Sequence, residues 1–310
     1  MNAAHSTISV IIPTHNRADL LAGALRSLEA ARDYLAGDEV VVVANACTDG
    51  TEALVDEMRA DFPVPLRLCV EPTPGLNLAR NRGASEARGD LLAFIDDDVL
   101  VEPGWAESIR AMFDQLGAEI GTGPVELSWT LIERPDWLTT RAEKLLTTID
   151  LGPEIVRTKS ESHFVGANLS MRSALWHELG GFSAGLDRSG NDLLSGGDTE
   201  FVGRALENGS AGVYHPRARL LHMVTPGRTT MEYLGAVAEA RGRTRVALSR
   251  LGTSSGRFLM ARHGSAQVLL GTWWRLRGLL TGDRRRGVDG LLVCRRGWGT
   301  LRALIARPGR

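Results

Sequence analysis

Positions 7–13 read TISVIIP, a run rich in β-branched residues that closes on a proline. It shows no alternating polar face, which predicts a strand buried on both sides. Residues 17–31 (RADLLAGALRSLEAA) carry apolar positions at helical spacing. Residues 38–46 (DEVVVVANA) predict a second buried strand. The stretch 48–62 (TDGTEALVDEMRADF) opens with capping residues and continues as a helix. A third strand at 66–71, a helix at 75–89 closed by glycine, and a fourth strand at 90–96 follow. Strand–helix alternation repeated three times predicts an α/β chain with a mainly parallel sheet and helices on both faces. Ligands of such sheets bind at the carboxyl ends of the strands. The unusual polar residues fall there: Thr14, His15 and Asn16, then Asn45, then Asp96, Asp97 and Asp98.

Beyond Asp98 the rhythm changes. A helix is predicted over 103–116, while 120–163 shows no clear period. Residues 162–182 read as a strand and a short helix stopped by Gly180 and Gly181. A glycine-rich loop and a helix occupy 192–209, and two short strands flank His215 and Pro216. From 229 onward the pattern is helical, and no internal repeat or low-complexity linker interrupts it.

Composition adds two constraints. The chain has 310 residues, 43% hydrophobic and 24% charged, which suits a folded protein with a large core. Its net charge of −1 hides an uneven distribution. Residues 251–310 hold twelve Arg, no Lys and two Asp, together with Trp273, Trp274, Leu276, Leu279 and Leu280. That mixture predicts amphipathic helices on an anionic membrane surface. The competing reading is a helical cap packed on an acidic face of the protein. No aromatic-basic motif supports nucleic acid as a partner. The three cysteines, Cys47, Cys69 and Cys294, lie far apart and make neither a disulfide framework nor a zinc spacing. A reducing compartment is therefore expected. The first twenty residues lack a basic segment followed by a long apolar one, so no signal peptide is expected. No run approaches the roughly 18 apolar residues of a spanning helix. Together these features predict a cytoplasmic protein, peripheral on the inner membrane surface.

The candidate chemistry begins with Asp96, Asp97 and Asp98. Three adjacent carboxylates repel one another, and burying them unpaired is costly. A metal ion or an arginine cluster should therefore sit beside them. Strand alternation would turn Asp96 and Asp98 to one side, where two carboxylates suit Mg²⁺ or Mn²⁺ with positions left open for a diphosphate. A turn or a helix cap would explain the same residues without a ligand. In 196–201 (GGDTEF) two glycines let a ligand approach, and Asp198 could take a proton from an attacking hydroxyl. Routine helix punctuation is the competing explanation for Asp198 and Glu200. His222 at a strand end is either a metal ligand or structural. Arg80 and Arg82 either neutralise phosphate or line a solvated helix face. Neither G-x-G-x-x-G after the first strand nor G-x-x-x-x-G-K-[ST] occurs, which argues against a standard dinucleotide or P-loop site.

Five segments in register resemble the family 2 glycosyltransferases of the GT-A fold: 8–21 (ISVIIPTHNRADLL), 41–51 (VVVANACTDGT), 74–105 (PGLNLARNRGASEARGDLLAFIDDDVLVEPGW), 166–182 (GANLSMRSALWHELGGF) and 196–201. The resemblance spans about 7–250. It implies a GT-A domain over 1–228, with a nucleotide-sugar half at 7–105 and an acceptor half at 106–228, and a helical basic region at 229–310. Pro13, Thr14, His15, Asn16, Arg17 and Asn45 would line the nucleotide, and Asn77 and Arg80 would close its pocket. Asp96, Asp97 and Asp98 match the D-x-D element. Asp98 would hold Mg²⁺ or Mn²⁺ on the diphosphate, with Asp96 and His222 as further ligands, and Asp96 or Asp97 would approach ribose and sugar. Asn168 would face donor sugar and acceptor. Asp198 matches the general base of inverting members, with Glu200 a weaker candidate. A metal nucleotide-sugar would then neutralise the aspartate run. The implied donor is a UDP-, GDP- or dTDP-sugar, and the implied acceptor a glycan or lipid-linked hydroxyl in cell-surface polysaccharide or glycolipid synthesis. Two positions depart from the pattern. Ala44 stands where many relatives carry Asp, and Gly197 where many carry Glu. Those departures keep open a non-catalytic sugar-nucleotide-binding or scaffold protein. The other alternative is a nucleotidyltransferase, which can share an α/β nucleotide fold but whose usual glycine- and Lys-rich phosphate loop after the first strand is absent here.

Overall fold

The structure is a computed structural model that describes residues 5–186, 193–251 and 257–306. Asp192, which opens the glycine-rich stretch, and residues 252–256 and 307–310 of the basic region lie outside the described residues. The chain divides into two compact units. The first comprises Met1–Ser128, Thr148–Gly190 and Gly197–Met223, and the second Trp129–Thr147, Asn191–Gly196 and Val224–Arg310.

Unit one opens with the alternation read from the sequence. Strand β1 (Ile8–Thr14), helix α1 (Ala18–Ala31), β2 (Glu39–Asn45), α2 (Thr51–Arg59), β3 (Leu66–Glu71), α3 (Leu76–Glu86) and β4 (Leu91–Ile95) follow in turn. Then come β5 (Val99–Val101), α4 (Trp105–Arg110), β6 (Ile120–Thr122) and β7 (Val125–Ser128). A short helix, α5 (Thr140–Glu143), belongs to unit two. Unit one resumes with β8 (Val156–Thr158), β9 (Asn168–Arg172), α6 (Ser173–Leu179), α7 (Gly197–Glu207), β10 (Gly212–Tyr214) and β11 (Leu220–Met223).

The large sheet has eight strands in the order β3-β2-β1-β4-β9-β6-β10-β8. Its first four are parallel, and β9 runs antiparallel between β4 and β6. A second sheet pairs β11 with β5 and β7. Every residue of β1 is buried, as an unalternated apolar run requires. Ile8, Val10 and Ile12 pack with Leu21, Leu25 and Leu28 of α1 on one face. Ile11 packs with Ala79 of α3 and Phe201 of α7 on the other.

Pro13 does not stop β1, which runs on to Thr14. Leu91 donates its N–H to the Thr7 carbonyl, so odd-numbered residues of β1 turn their main chain toward β4. The pairing with β4 ends at Ile11 and Phe94, so Pro13 lies beyond the point where its missing N–H would be required.

Unit two is helical: α8 (Met231–Leu251), α9 (Arg257–Thr281) and α10 (Arg284–Ile305). No helix among the described residues is long and apolar enough to cross a membrane.

Candidate active site

Because β1 and β2 are neighbours, the loops that follow them meet. His15 Nδ1 lies 2.6 Å from the Asn45 carbonyl oxygen. Asn16 adopts a left-handed backbone (φ 52°) and accepts the Thr48 N–H on Oδ1 at 2.7 Å. Asn45 is buried; its Nδ2 donates to the carbonyls of Glu71 (3.0 Å) and Thr73 (2.7 Å), and its Oδ1 accepts the Gly75 N–H. The Asn45 amide thus pins the turn into α3. Ala44 beside it is fully buried, so a carboxylate there would need a buried partner.

The aspartate run sits where β4 ends. The strand stops at Ile95, and Asp97 and Asp98 form the turn into β5. Strand alternation therefore does not pair Asp96 with Asp98, and each carboxylate goes its own way. Asp96, partly exposed, reaches Arg80 Nη2 at 3.2 Å. Asp97 accepts the Thr14 hydroxyl at 2.8 Å and Arg17 Nη1 at 3.1 Å. Asp98 shares that same Nη1 at 3.1 Å, and its Oδ1 lies 3.0 Å from His222 Nε2. Asp98 and His222 are 1% and 2% exposed. Two positive groups are thus present in the chain itself, Arg17 from the β1 loop and Arg80 from α3, and β11 adds the His222 imidazole.

Burial pushes the Asp97 carboxyl up to about 6, reinforced by the neighbouring Asp98 charge, and Arg17 and the Thr14 hydroxyl offset this only in part. Burial works to lower the Arg17 pKa, yet Asp97 and Asp98 hold it above its ordinary value.

The second acidic cluster is joined to the first through one glycine. Arg80 is buried, with its guanidinium 5.8 Å from the centre of the Phe182 ring and pressed against Gly166. A Cβ on Gly166 would overlap that guanidinium. The Gly166 N–H donates to Asp198 Oδ2 at 2.8 Å, while Asp198 Oδ1 accepts the Thr199 N–H at 2.8 Å. Gly197, the other departure from the family pattern, lies where a Cβ would overlap the Asn77 amide. Asn77 in turn donates to the carbonyls of Ser183 and Leu186. Glu200 gives both oxygens to Arg204, at 2.5 and 3.1 Å. Asn168 is buried: its Oδ1 accepts Trp105 Nε1 and its Nδ2 donates to the carbonyls of Ala218 and Pro124.

The structure brings Thr14, Arg17, Arg80, Asp96, Asp97, Asp98 and His222 together and links Asp198 to them through Gly166. The side-chain amides of Asn45, Asn77 and Asn168 and the Glu200 carboxylate are engaged within the scaffold instead. Gly166 and Phe182 were not singled out from the sequence. Gly166 stands inside a motif segment and was legible as a close-approach glycine, whereas nothing marked Phe182.

Asp98 and His222 offer an oxygen and a nitrogen donor side by side, a set that suits a divalent cation. Among the described residues no group of three His, Cys, Asp or Glu forms a cage on its own. The residues therefore fit an ion that takes its remaining ligands from a bound diphosphate and water.

The family model for glycosyl transferase family 2 matches residues 9–173, the span from β1 through β9. The chain belongs to glycosyl transferase family 2. A glucosyl-dolichyl phosphate glucuronosyltransferase of Haloferax volcanii is 25% identical over 207 residues, 63% of this chain and 62% of that one. Glycosyltransferase AglE of the same organism is 27% identical over 206 residues, 65% of this chain and 62% of its own length. The matches thus span about three fifths of those relatives. Among solved structures, the mannosyltransferase PcManGT of Pyrobaculum calidifontis, in complex with GDP-Man and Mn²⁺, superposes with a TM-score of 0.57 at 21% identity. The match covers 82% of this chain and 66% of that one. It establishes the fold of this family 2 member, which is GT-A.

Proposed function

We propose that this family 2 protein is an inverting, metal-dependent glycosyltransferase that moves a sugar from a nucleotide diphosphate-sugar to a hydroxyl acceptor. The observation that carries the reading is Asp98, almost wholly buried between Arg17 and His222 at the end of β4 and linked through Asp96, Arg80 and Gly166 to Asp198. Asp98 and His222 would hold Mg²⁺ or Mn²⁺. When bound, the cation would stabilise the charge that builds on the leaving diphosphate. Arg17, partly exposed above the aspartates, is placed to turn a guanidinium nitrogen to a phosphate oxygen. Thr14 fixes Asp97, and the loop of His15 and Asn16 would border the nucleotide. Asp198 keeps its carboxylate in place with two main-chain N–H donors and would accept the proton of the attacking hydroxyl. A single in-line attack inverts the anomeric carbon.

The relatives act on dolichyl phosphate-linked sugar or bear glycosyltransferase names, and the solved neighbour binds GDP-Man with Mn²⁺. They support a nucleotide-sugar donor; within this reading the donor is of UDP, GDP or dTDP type and the acceptor a glycan or lipid-linked hydroxyl in cell-surface polysaccharide or glycolipid synthesis. A cytoplasmic site with peripheral membrane contact through 251–310 belongs to the same reading, as does the division into a transferase domain at 1–228 and a basic helical region. Calorimetric titration of UDP, GDP and dTDP, each with and without Mn²⁺, tests it. One nucleotide should bind, and binding should require both the metal and Asp98, so that Asp98→Ala abolishes it. Metal-independent binding, or none of any nucleotide, refutes the donor site.

A further inference from the structure

Helix α9 has two opposite faces. Gly264, Gly271 and Gly278 recur every seven residues and lie directly against α10. A Cβ on Gly271 would come within 2.5 Å of the Gly290 carbonyl oxygen and the Cys294 nitrogen, and one on Gly278 within 2.7 Å of the Gly287 nitrogen. The opposite side is open and apolar. Leu269, Trp273, Leu276 and Leu280 recur at helical spacing and are 73%, 52%, 56% and 87% exposed, and Phe258 continues the stripe at 78%. Contiguous exposed apolar surface of this kind marks an interaction site. The helix carries Arg257, Arg262, Arg275 and Arg277 and no Asp or Glu. Among the described residues no carboxylate pairs with Arg262, Arg275 or Arg277; Arg277 instead stacks on the Trp273 ring at 5.4 Å.

We infer that the outer face of α9 is a docking surface for the headgroup region of an anionic lipid bilayer. This deepens the membrane contact of the proposed function and rests on that reading for its purpose. The charge pattern selects the occupant. Two copies of α9 laid face to face would bring arginines together with no acidic residue on either helix to pair them. A phosphate-bearing surface supplies the missing anions, while the leucines and Trp273 enter the boundary between headgroups and acyl chains.

Co-sedimentation of the full chain with vesicles is the test. Wild type pellets with phosphatidylcholine vesicles containing about 30% phosphatidylglycerol, and at least about tenfold more weakly with pure phosphatidylcholine, with binding that fades as salt rises. The triple variant Leu269→Ser, Leu276→Ser, Leu280→Ser loses at least about tenfold in partition onto the anionic vesicles while its helical circular dichroism stays unchanged. Equal partition of variant and wild type overturns the inference, and so does equal partition onto neutral and anionic vesicles. A wild-type dimer that the triple variant dissolves overturns it in favour of a second copy. If the variant does not fold, brominated lipid still decides: it quenches wild-type fluorescence more than that of Trp273→Phe, and equal quenching refutes the contact. The nucleotide titration reads a separate site, so failure there leaves the vesicle result standing, and the reverse also holds.

Discussion

The two acidic clusters of unit one read alike in the sequence, as carboxylates at the end of one element and the start of another. The fold treats them in opposite ways. Asp96, Asp97 and Asp98 meet side chains from distant parts of the chain, namely the guanidiniums of Arg80 and Arg17 and the imidazole of His222. Asp198 is held instead by the main-chain N–H groups of Gly166 and Thr199. A carboxylate paired with side chains can exchange a partner for a ligand when a rotamer changes, which suits a seat for a metal and a diphosphate. One fixed by backbone donors keeps its position while a substrate hydroxyl arrives. The difference predicts separate failures when each is removed.

The largest effect should come from Asp198→Asn. It retains the shape and loses the base, so transfer should fall about 10²- to 10⁴-fold while nucleotide affinity stays within about twofold. Asp98→Ala should do the reverse and remove metal-dependent nucleotide binding first. Single-turnover transfer alongside titration of the donor separates the two. Equal loss of binding in both variants would erase the distinction between the clusters.

Asp97 offers a smaller effect that belongs to the first cluster alone. Its folded pKa of about 6 lies above the ordinary carboxylate value, so the folded protein holds the proton more tightly than the unfolded chain. Stability from this proton is present in full below about pH 4 and is lost as pH rises through about 6, by as much as about 3 kcal/mol. Asp97→Asn is neutral throughout and lacks that loss. Urea unfolding of the metal-free protein at several pH values should show the variant gaining on wild type as pH climbs from about 4 to 7. Parallel curves would mean that Arg17 compensates the charge in full.

Much of this was legible beforehand. The unalternated runs of β1, β2 and β4 marked buried parallel strands, and polar residues at the ends of β1 and β4 fall in the side-chain cluster that the fold assembles. The repulsion among three adjacent aspartates demanded positive partners. What the sequence did not disclose was which partners. Arg17 and His222 lie more than two hundred positions apart and meet on Asp98 only because β11 pairs with β5, a non-local pairing that no local period encodes. Nor did spacing reveal that the Asn45, Asn77 and Asn168 amides are engaged by backbone groups, since an amide at a strand end looks the same whether it faces a ligand or a loop. The end of β4 one residue before Asp96 was likewise hidden, because a turn of acidic residues and a strand tip share composition.

Gly166→Ala probes the link between the clusters. The added methyl would overlap the buried Arg80 guanidinium, which must then leave Asp96 or tilt off Phe182. Overpacking of this kind costs about 1–3 kcal/mol. The fall in Tm should be accompanied by weaker donor binding, because Arg80 and Asp96 move together. Arg80→Lys added to Gly166→Ala should recover part of the stability by removing the crowded planar group. No recovery would place the strain elsewhere.

The smallest effect separates Glu200 from Asp198, two residues before it in the same first turn. Glu200 is held by both guanidinium nitrogens of Arg204, one turn on, and Arg204 also donates to the carbonyls of Leu179 and Gly181. That arrangement ties the start of α7 to the end of α6 and leaves the carboxylate turned to its own helix rather than to a substrate. Glu200→Gln should therefore cost less than about 1 kcal/mol in urea unfolding, as partly exposed ion pairs do. Transfer should stay within about twofold of wild type, because the proposed proton acceptor is Asp198. A drop in transfer comparable to that of Asp198→Asn, with stability unchanged, would assign the base to Glu200. Main-chain capping of Asp198 would then be no more than helix punctuation, and the contrast between the clusters would rest on the aspartate run alone.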